Sequence, residues 1–93
     1  MYSLELSPRA LAELEHMIAS YPLPADTRAR LRDRLALVER FPFSGQDLTG
    51  RWAGHQRVLG PFRWLASIYV VDGKQVKVVT IEDCRRSSAA RTL

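Results

Sequence analysis

Residues 62–81, "FRWLASIYVVDGKQVKVVTI", decide how the rest of the chain is read. Two runs rich in β-branched and aromatic residues flank Asp72-Gly73, a combination of composition and turn that signals a hairpin. The expected strands cover 62–71 and 75–81. Alternation along the first of them puts Phe62, Trp64, Ala66, Ile68 and Val70 on one wholly apolar face. Arg63, Leu65, Ser67 and Tyr69 fall on the other. The apolar face is expected to meet helices, so Arg63 is expected to point to the open side of the sheet.

Just upstream, a further strand is expected over 55–60, within "GHQRVLG" (54–60). Its alternation groups His55, Arg57 and Leu59 on one face and Gln56 and Val58 on the other. Gly60-Pro61 reads as a tight connection that makes the two strands hairpin neighbours. Arg57 and Arg63 then stand side by side, with His55 one pleat along. Like charges facing each other across a sheet destabilise it, so their retention points to a bound anion. The alternative is Arg63 stacked on Tyr69 or paired with Glu82 or Asp83. At the far end, the last strand exits into Glu82-Asp83-Cys84-Arg85-Arg86. Those arginines either curl back over the open face or are neutralised by the adjacent acids.

Further outward, "PFSGQDLTGRWAG" (42–54) is turn-rich and reads as a loop. Before it a helix is expected from about Ala25–Asp26 to about Phe41, stopped by Pro42. Its core stripe is Leu31, Leu35 and Val38, widened by Leu37 and Phe41, with Arg28, Arg30, Arg32 and Arg34 off the stripe. An earlier helix opens at Ser7-Pro8, serine as N-cap and proline at N1, where its missing N–H costs nothing. Leu11, Leu14, Ile18 and Tyr21 form its stripe with Met17 at the edge, and Pro22 and Pro24 end it. "YSLELS" (2–7) alternates as a short half-buried strand. The order β-α-α-β-β-β gives an α+β domain: two N-terminal helices packed on one face of a small, mainly antiparallel four-stranded sheet, its other face open.

Ninety-three residues suffice for one modest core, so a single domain over 1–93 is expected. No apolar run approaches the roughly 18 residues of a membrane span. The N-terminus lacks the pattern of a signal peptide, and a cytoplasmic protein without membrane contact is expected. The single cysteine, Cys84, agrees with that compartment. The net charge of +4 is uneven, because residues 55–93 carry seven Lys or Arg against three acids. Twelve of the fourteen basic residues are Arg, whose planar fork suits phosphate and carboxylate. That half of the chain suggests a polyanion or an acidic protein partner. A glycine-rich phosphate loop and metal-spaced His or Cys pairs are missing from the sequence, and His16 beside Glu13 and Glu15 reads as a surface residue.

Arg57, a Gly60-containing turn, Phe62-Arg63, an apolar stretch with Tyr69, and a last strand running into Arg85-Arg86 stand in an order that resembles the RelE/ParE superfamily of bacterial toxins. The resemblance covers about residues 2–88 and implies the toxin half of a type II toxin–antitoxin pair. Two activities are implied by it, and fold alone does not choose between them. RelE-like members cleave messenger RNA on the ribosome, and ParE-like members poison DNA gyrase. "GRWAGHQRVLGPFRW" (50–64) looks closer to the RelE side, although His55 and Arg57 stand where that side usually carries lysines. On that reading, attack of a ribose 2′-OH on phosphorus needs a base, cations and an acid for the leaving oxygen. His55 is the implied base, Arg57 and Arg63 hold the phosphate, and Arg85 supplies charge or assists the leaving group, with Arg86 as its substitute. Arg51, Lys74, Lys77, Arg86 and Arg91 are the implied RNA contacts. Neither metal nor cofactor is implied. The implied partners are a cognate antitoxin, then the ribosome and its messenger RNA, or DNA gyrase on the alternative reading. A third reading is a nonenzymatic module whose basic face meets an acidic partner.

Overall fold

The computed structural model describes residues 1–85. Strand β1 (Ser3–Leu6) leads into helix α1 (Pro8–Ser20) and helix α2 (Thr27–Arg40). Strand β2 (Gln46–Asp47), a 3-10 turn (Gly50–Trp52), and strands β3 (Gln56–Leu59), β4 (Leu65–Asp72) and β5 (Gln75–Asp83) follow. The strands form one sheet in the order β1-β5-β4-β3-β2. Only the β1–β5 pair is parallel. The sheet therefore has five strands rather than four. The extra one is a two-residue edge in the stretch read as loop, too short to show alternation.

The helix starts follow from local chemistry. Ser7 Oγ accepts from the Ala10 N–H at 3.0 Å and donates to the Val79 carbonyl at 2.9 Å, so one hydroxyl caps α1 and ties it to the sheet. β1 pairs with β5 only as far as Val78, although β5 continues to Asp83. Past that point α1 closes the edge: the Glu13 carboxylate accepts from the Ile81 N–H at 3.1 Å and from Thr80 Oγ1 at 2.7 and 3.0 Å. At β1's own outer edge, Glu39 of α2 accepts from the Leu4 N–H at 2.9 Å. Both carboxylates blunt strand edges that would otherwise be open to pairing.

The core joins Ala10, Leu14 and Met17 of α1 and Leu31, Leu35 and Val38 of α2 to Val58, Leu65, Tyr69, Val76, Val78 and Ile81 of the sheet. The α2 stripe is as expected, but Leu37 and Phe41 are half exposed, and so is Leu11 of α1. The α1 stripe is centred on Ala10–Leu14–Met17, about one residue back from the expected one. Alanine is too small to advertise that face in the sequence.

The facing of β4 differs from expectation. Residues 60–64 form a turn, with Gly60 N–H donating to the Leu65 carbonyl at 3.0 Å and Leu65 N–H to the Phe62 carbonyl at 3.1 Å. Alternation therefore starts at Leu65, and it is Leu65, Ser67 and Tyr69 that face the helices. Val58 pairs with Ser67 and Ser67 with Ile81, which fixes that face. Ala66 and Ile68 lie on the face opposite, yet they are also buried. An apolar strand buried on both sides gives alternation nothing to discriminate. Phe62 and Trp64 do reach the core, but from the turn.

Tyr69 shows how a polar group is carried into that core. Its ring is fully buried, while its hydroxyl accepts from the Gly45 N–H at 3.0 Å and donates to Gln56 Oε1 at 2.7 Å. Burial pushes this phenol up from its ordinary range. Gly45 must be glycine, because a Cβ there would overlap the Tyr69 hydroxyl. That contact pins the loop between α2 and β2, and hence the path of the chain into the face described next.

Candidate anion-binding site

Arg57 sits on β3 opposite Ile68, next to Val58, whose side chain enters the core. Its guanidinium therefore lies on the sheet face that carries neither helix. Nη2 donates to Gln46 Oε1 of β2 at 2.6 Å. Cys84 lies on the other side of it. Burial pushes the Cys84 thiol up, and the Arg57 guanidinium offsets part of that rise. A thiol held that way is a poor nucleophile.

His55 precedes β3 and, two residues from Arg57 along extended chain, shares its side of the sheet. Its carbonyl accepts from the Leu48 N–H at 3.0 Å, which fixes the backbone. The ring stands edge-on to Trp52, centroids 5.2 Å apart at 71°. Nδ1 lies 3.5 Å from the Ala53 carbonyl, a long contact that favours the Nδ1–H tautomer. In that tautomer Nε2 keeps its lone pair, as a base requires. Arg51 is exposed, with its guanidinium 5.7 Å from the centre of the Trp52 ring. Arg51, Trp52, His55 and Arg57 thus form one corner of the molecule, built by the 3-10 turn and the start of β3.

The other expected site residues are dispersed. Arg63 is exposed in the 60–64 turn, outside the β3–β4 ladder, so it does not stand beside Arg57 as the tight-connection reading had it. The loop is five residues long, and Leu59 pairs with Ala66. Arg85 follows the neutralised alternative. Its backbone N–H and Nε donate to Asp83 Oδ1 at 2.9 and 3.0 Å, and Nη2 donates to Oδ2 at 3.0 Å. The guanidinium lies 4.0 Å from the centre of Trp64, which stacks on Phe62 at 5.3 Å, and Arg30 covers the Phe62 ring at 5.2 Å. Tyr21 Oη adds a fourth donor to Asp83 at 3.0 Å. These hydrogen bonds, Arg85's first, hold the Asp83 carboxyl down at about 2.

Lys77 pairs with Val70 and so shares Arg57's side of the sheet, where it meets Asp72 at 3.5 Å. Lys74 lies in the β4–β5 turn over the Tyr2 ring at 5.0 Å, at the end of the hairpin away from Arg85. Arg86 and Arg91 lie outside the described residues. Among the described residues, no three His, Cys, Asp or Glu side chains gather as metal ligands, and no helix is long and apolar enough to cross a membrane. Sequence reasoning missed Gln46 and Trp52. Gln46 stood in an apparent loop, and Trp52 carried no charge to mark it.

No family model and no curated protein matches the sequence. Solved structures do match it in fold. A chain of the chromosomal ParDE TA system from P. aeruginosa superposes with a TM-score of 0.67 at 16% identity, over 89% of this chain and 96% of that one. The YoeB/ParE toxin from Agrobacterium tumefaciens gives 0.67 at 18% identity, over 89% and 98%. A copper-bound mutant toxin from Helicobacter pylori gives 0.64 at 14% identity, over 89% and 94%. Two helices on one side of a mixed sheet, in this strand order, are therefore the RelE/ParE-type fold. Its expected α+β architecture is the one observed.

Proposed function

We propose that the chain is the toxin of a type II toxin–antitoxin pair and that it cleaves messenger RNA on the ribosome. The observation that carries this reading is the corner at the start of β3. A histidine with a free Nε2 stands two residues from Arg57, on the side of the sheet without helices, with Arg51 beside it. In the reaction His55 Nε2 takes the proton of the ribose 2′-OH. The oxygen then attacks the adjacent phosphorus, the bond from phosphorus to the 5′-oxygen breaks to leave a 2′,3′-cyclic phosphate, and the departing 5′-oxygen takes its proton from solvent water. Arg57 faces the charge that builds on the phosphorane, and a guanidinium already held by Gln46 needs little reorganisation to do so. Arg51, and Arg63 from its exposed turn, steer and hold the strand by charge.

A second reading has a specific observation behind it. Arg85, assigned to the leaving group, is engaged by Asp83 and Trp64. A toxin missing that group fits the poisoning of DNA gyrase, which needs a surface and no acid–base chemistry. Pulse labelling of bacteria in the first minutes after induction separates the two. Translation failing first, with cuts in ribosome-bound messages, supports the nuclease. DNA synthesis failing first, with translation intact, removes it.

The antitoxin has a place to bind on the opposite side. A cavity of about 360 Å³ opens between the helices and β1, walled by Leu4, Leu6, Leu14, Leu31 and Leu35, with Arg28, Arg32 and Glu39 around it. It suits a peptide segment that combines apolar and acidic side chains. A deletion series of the antitoxin, read by whether growth is rescued, tests that assignment.

A further inference from the structure

Leu37 and Phe41 are large apolar residues that folding does not bury, and they remain 49% and 54% exposed. Arg30, Arg34, Leu37 and Phe41 follow one another at spacings of four, three and four, which sets them along one flank of α2. Phe41 caps the helix and keeps its place in the row, since its N–H still donates to the Leu37 carbonyl at 2.8 Å. Leu31, Leu35 and Val38 lie beside this row in the core, and the cavity bordered by Arg28, Arg32, Ala36 and Glu39 lies beyond them on the other flank. Both arginines of the row are held in place, but not by acids. Arg34 Nε donates to the Leu59 carbonyl at 2.9 Å, and the Arg30 guanidinium lies 5.2 Å from the centre of the Phe62 ring. Among the described residues the ion pairs are Arg9–Glu13, Arg28–Glu15, Lys77–Asp72 and Arg85–Asp83. Neither Arg30 nor Arg34 therefore meets a carboxylate, although Asp26 and Asp33 are close in sequence.

We infer that this flank of α2 is a docking surface for an acidic amphipathic helix of a protein partner. It is separate from the cavity and from the His55 corner, and it stands whether the chain cuts RNA or poisons gyrase. Exposed apolar surface rimmed by charge marks a place of contact with another molecule. The apolar pair decides the class of that molecule. A phosphodiester chain would satisfy the arginines, but Leu37 has no π-face on which a base can stack. Phe41 already has the Arg40 guanidinium 5.5 Å from its centre. Protein side chains meet both needs, covering Leu37 and Phe41 while carboxylates reach Arg30 and Arg34. Charge then decides between proteins. A symmetric second copy would bring the same row, which holds no carboxylate for either arginine. A helix with two acids one turn apart matches two guanidiniums one turn apart, and its next turn lays apolar side chains on the exposed pair. Arg34 is fixed by a hydrogen bond and Arg30 by a ring, so pairing costs them little further freedom.

The test follows the backbone amides of the whole protein by NMR during titration with a stapled helical peptide. The peptide carries Glu at two positions one turn apart and Leu at the next two positions of the same face. The expected result is a set of shifts confined to Arg30, Arg34, Leu37, Phe41 and their neighbours, with affinity about tenfold weaker in Arg30→Glu/Arg34→Glu. The same peptide with Lys in place of Glu should bind that double variant and not the parent, which mere misfolding of the variant could not produce. Shifts centred on Arg32 and Ala36 would put the peptide in the cavity and overturn the inference. Shifts that depend on protein concentration before peptide is added would overturn it too, since the occupant is then a second copy. An RNA trinucleotide, carrying a 2′-deoxyribose at its central position to block attack, serves as the nucleic-acid probe. If it moves this flank and the peptide does not, the surface belongs to RNA and the inference fails. If neither moves it, the flank is ordinary solvated surface and the inference fails as well. The titration of the parent decides the matter even if the double variant folds poorly.

Discussion

Arg57 and Arg85 emerge from the same half of a basic chain, yet the two sides of the sheet treat them differently. At the helix-covered end, Arg85 is met by both oxygens of Asp83 and by the face of Trp64, and Asp83 takes a further donor from Tyr21. Tyr69 and Thr80 are likewise supplied with partners. On the bare side, Arg57 is met by the neutral amide of Gln46 through one nitrogen, and no carboxylate pairs with it among the described residues. Folding completes the first region and leaves the second short of a carboxylate. The difference teaches where to look for a ligand: charge alone marks both regions, and what distinguishes them is a guanidinium paired with a carboxylate in one and with a neutral amide in the other.

The largest expected effect lies in the bare region and leaves the covered one untouched. His55→Ala removes the proposed base and is expected to slow cleavage of ribosome-bound message by ~10²–10⁴-fold. The melting temperature should stay close to the parent's, because the side chain is only partly buried and bonds weakly. Single-turnover cleavage together with a thermal melt measures both. Equal loss of activity and stability would erase the distinction between the regions.

Next in size is a change that strikes the covered region. Gly45→Ala places a Cβ against the hydroxyl of Tyr69, whose ring is fully buried. Overpacking of this kind costs about 1–3 kcal/mol. Urea unfolding should show it as a lower midpoint with an unchanged slope. Because Gln56 shares the Tyr69 hydroxyl and neighbours Arg57, anion affinity is expected to fall as well.

A smaller effect concerns acid. Asp83 is held at about 2, below its ordinary 3.8, so its ion pair contributes stability that is fully present above about pH 4. That contribution is lost as pH falls through the folded value. Arg85→Ala should therefore lower the melting temperature at pH 5, and the gap between variant and parent should close toward pH 2. The effect will be modest, because the Arg85 side chain is 57% exposed and screened by water. A gap that persists at pH 2 would mean that stacking on Trp64, rather than the ion pair, holds Arg85.

How much of this was legible in the residues follows the same division. The hairpin around Asp72-Gly73, the Ser7-Pro8 helix start and the Leu31–Leu35–Val38 stripe are local signals, and each is present as expected. The facing of β4 was not legible, because Ala66 and Ile68 are apolar on a face without helices, while Ser67 and Tyr69 are polar and buried. A slip of a single residue inverts the facing of a whole strand, and Arg63 lies in an exposed loop rather than beside Arg57 on the sheet. Of the proposed site, His55 and Arg57 could be paired from spacing alone. Gln46 and Trp52 could not, since they arrive from a short edge strand and a 3-10 turn whose sequence looks like loop. The ring of Arg85 contacts depends on residues 21, 64 and 83 meeting, which only the tertiary fold brings about.

Ser67 puts the comparison under its closest test, because it breaks the pattern. It lies on the covered side, fully buried between Val58 and Ile81, and its hydroxyl has no partner. If lacking a partner were enough to mark a site, Ser67 would mark one too. Its surroundings say otherwise: its cross-strand neighbours are core residues, without a charged or titratable group among them. An unpaired hydroxyl in such a place is a cost of the fold and serves no ligand. Ser67→Ala removes the orphan group and leaves the methylene volume nearly intact, so stability should be unchanged or raised by up to about 1 kcal/mol. The trinucleotide should bind the variant as it binds the parent. A clear loss of stability would reveal a partner for Ser67 that the structure does not record. A loss of RNA binding at constant stability would join the two faces and dissolve the contrast between them.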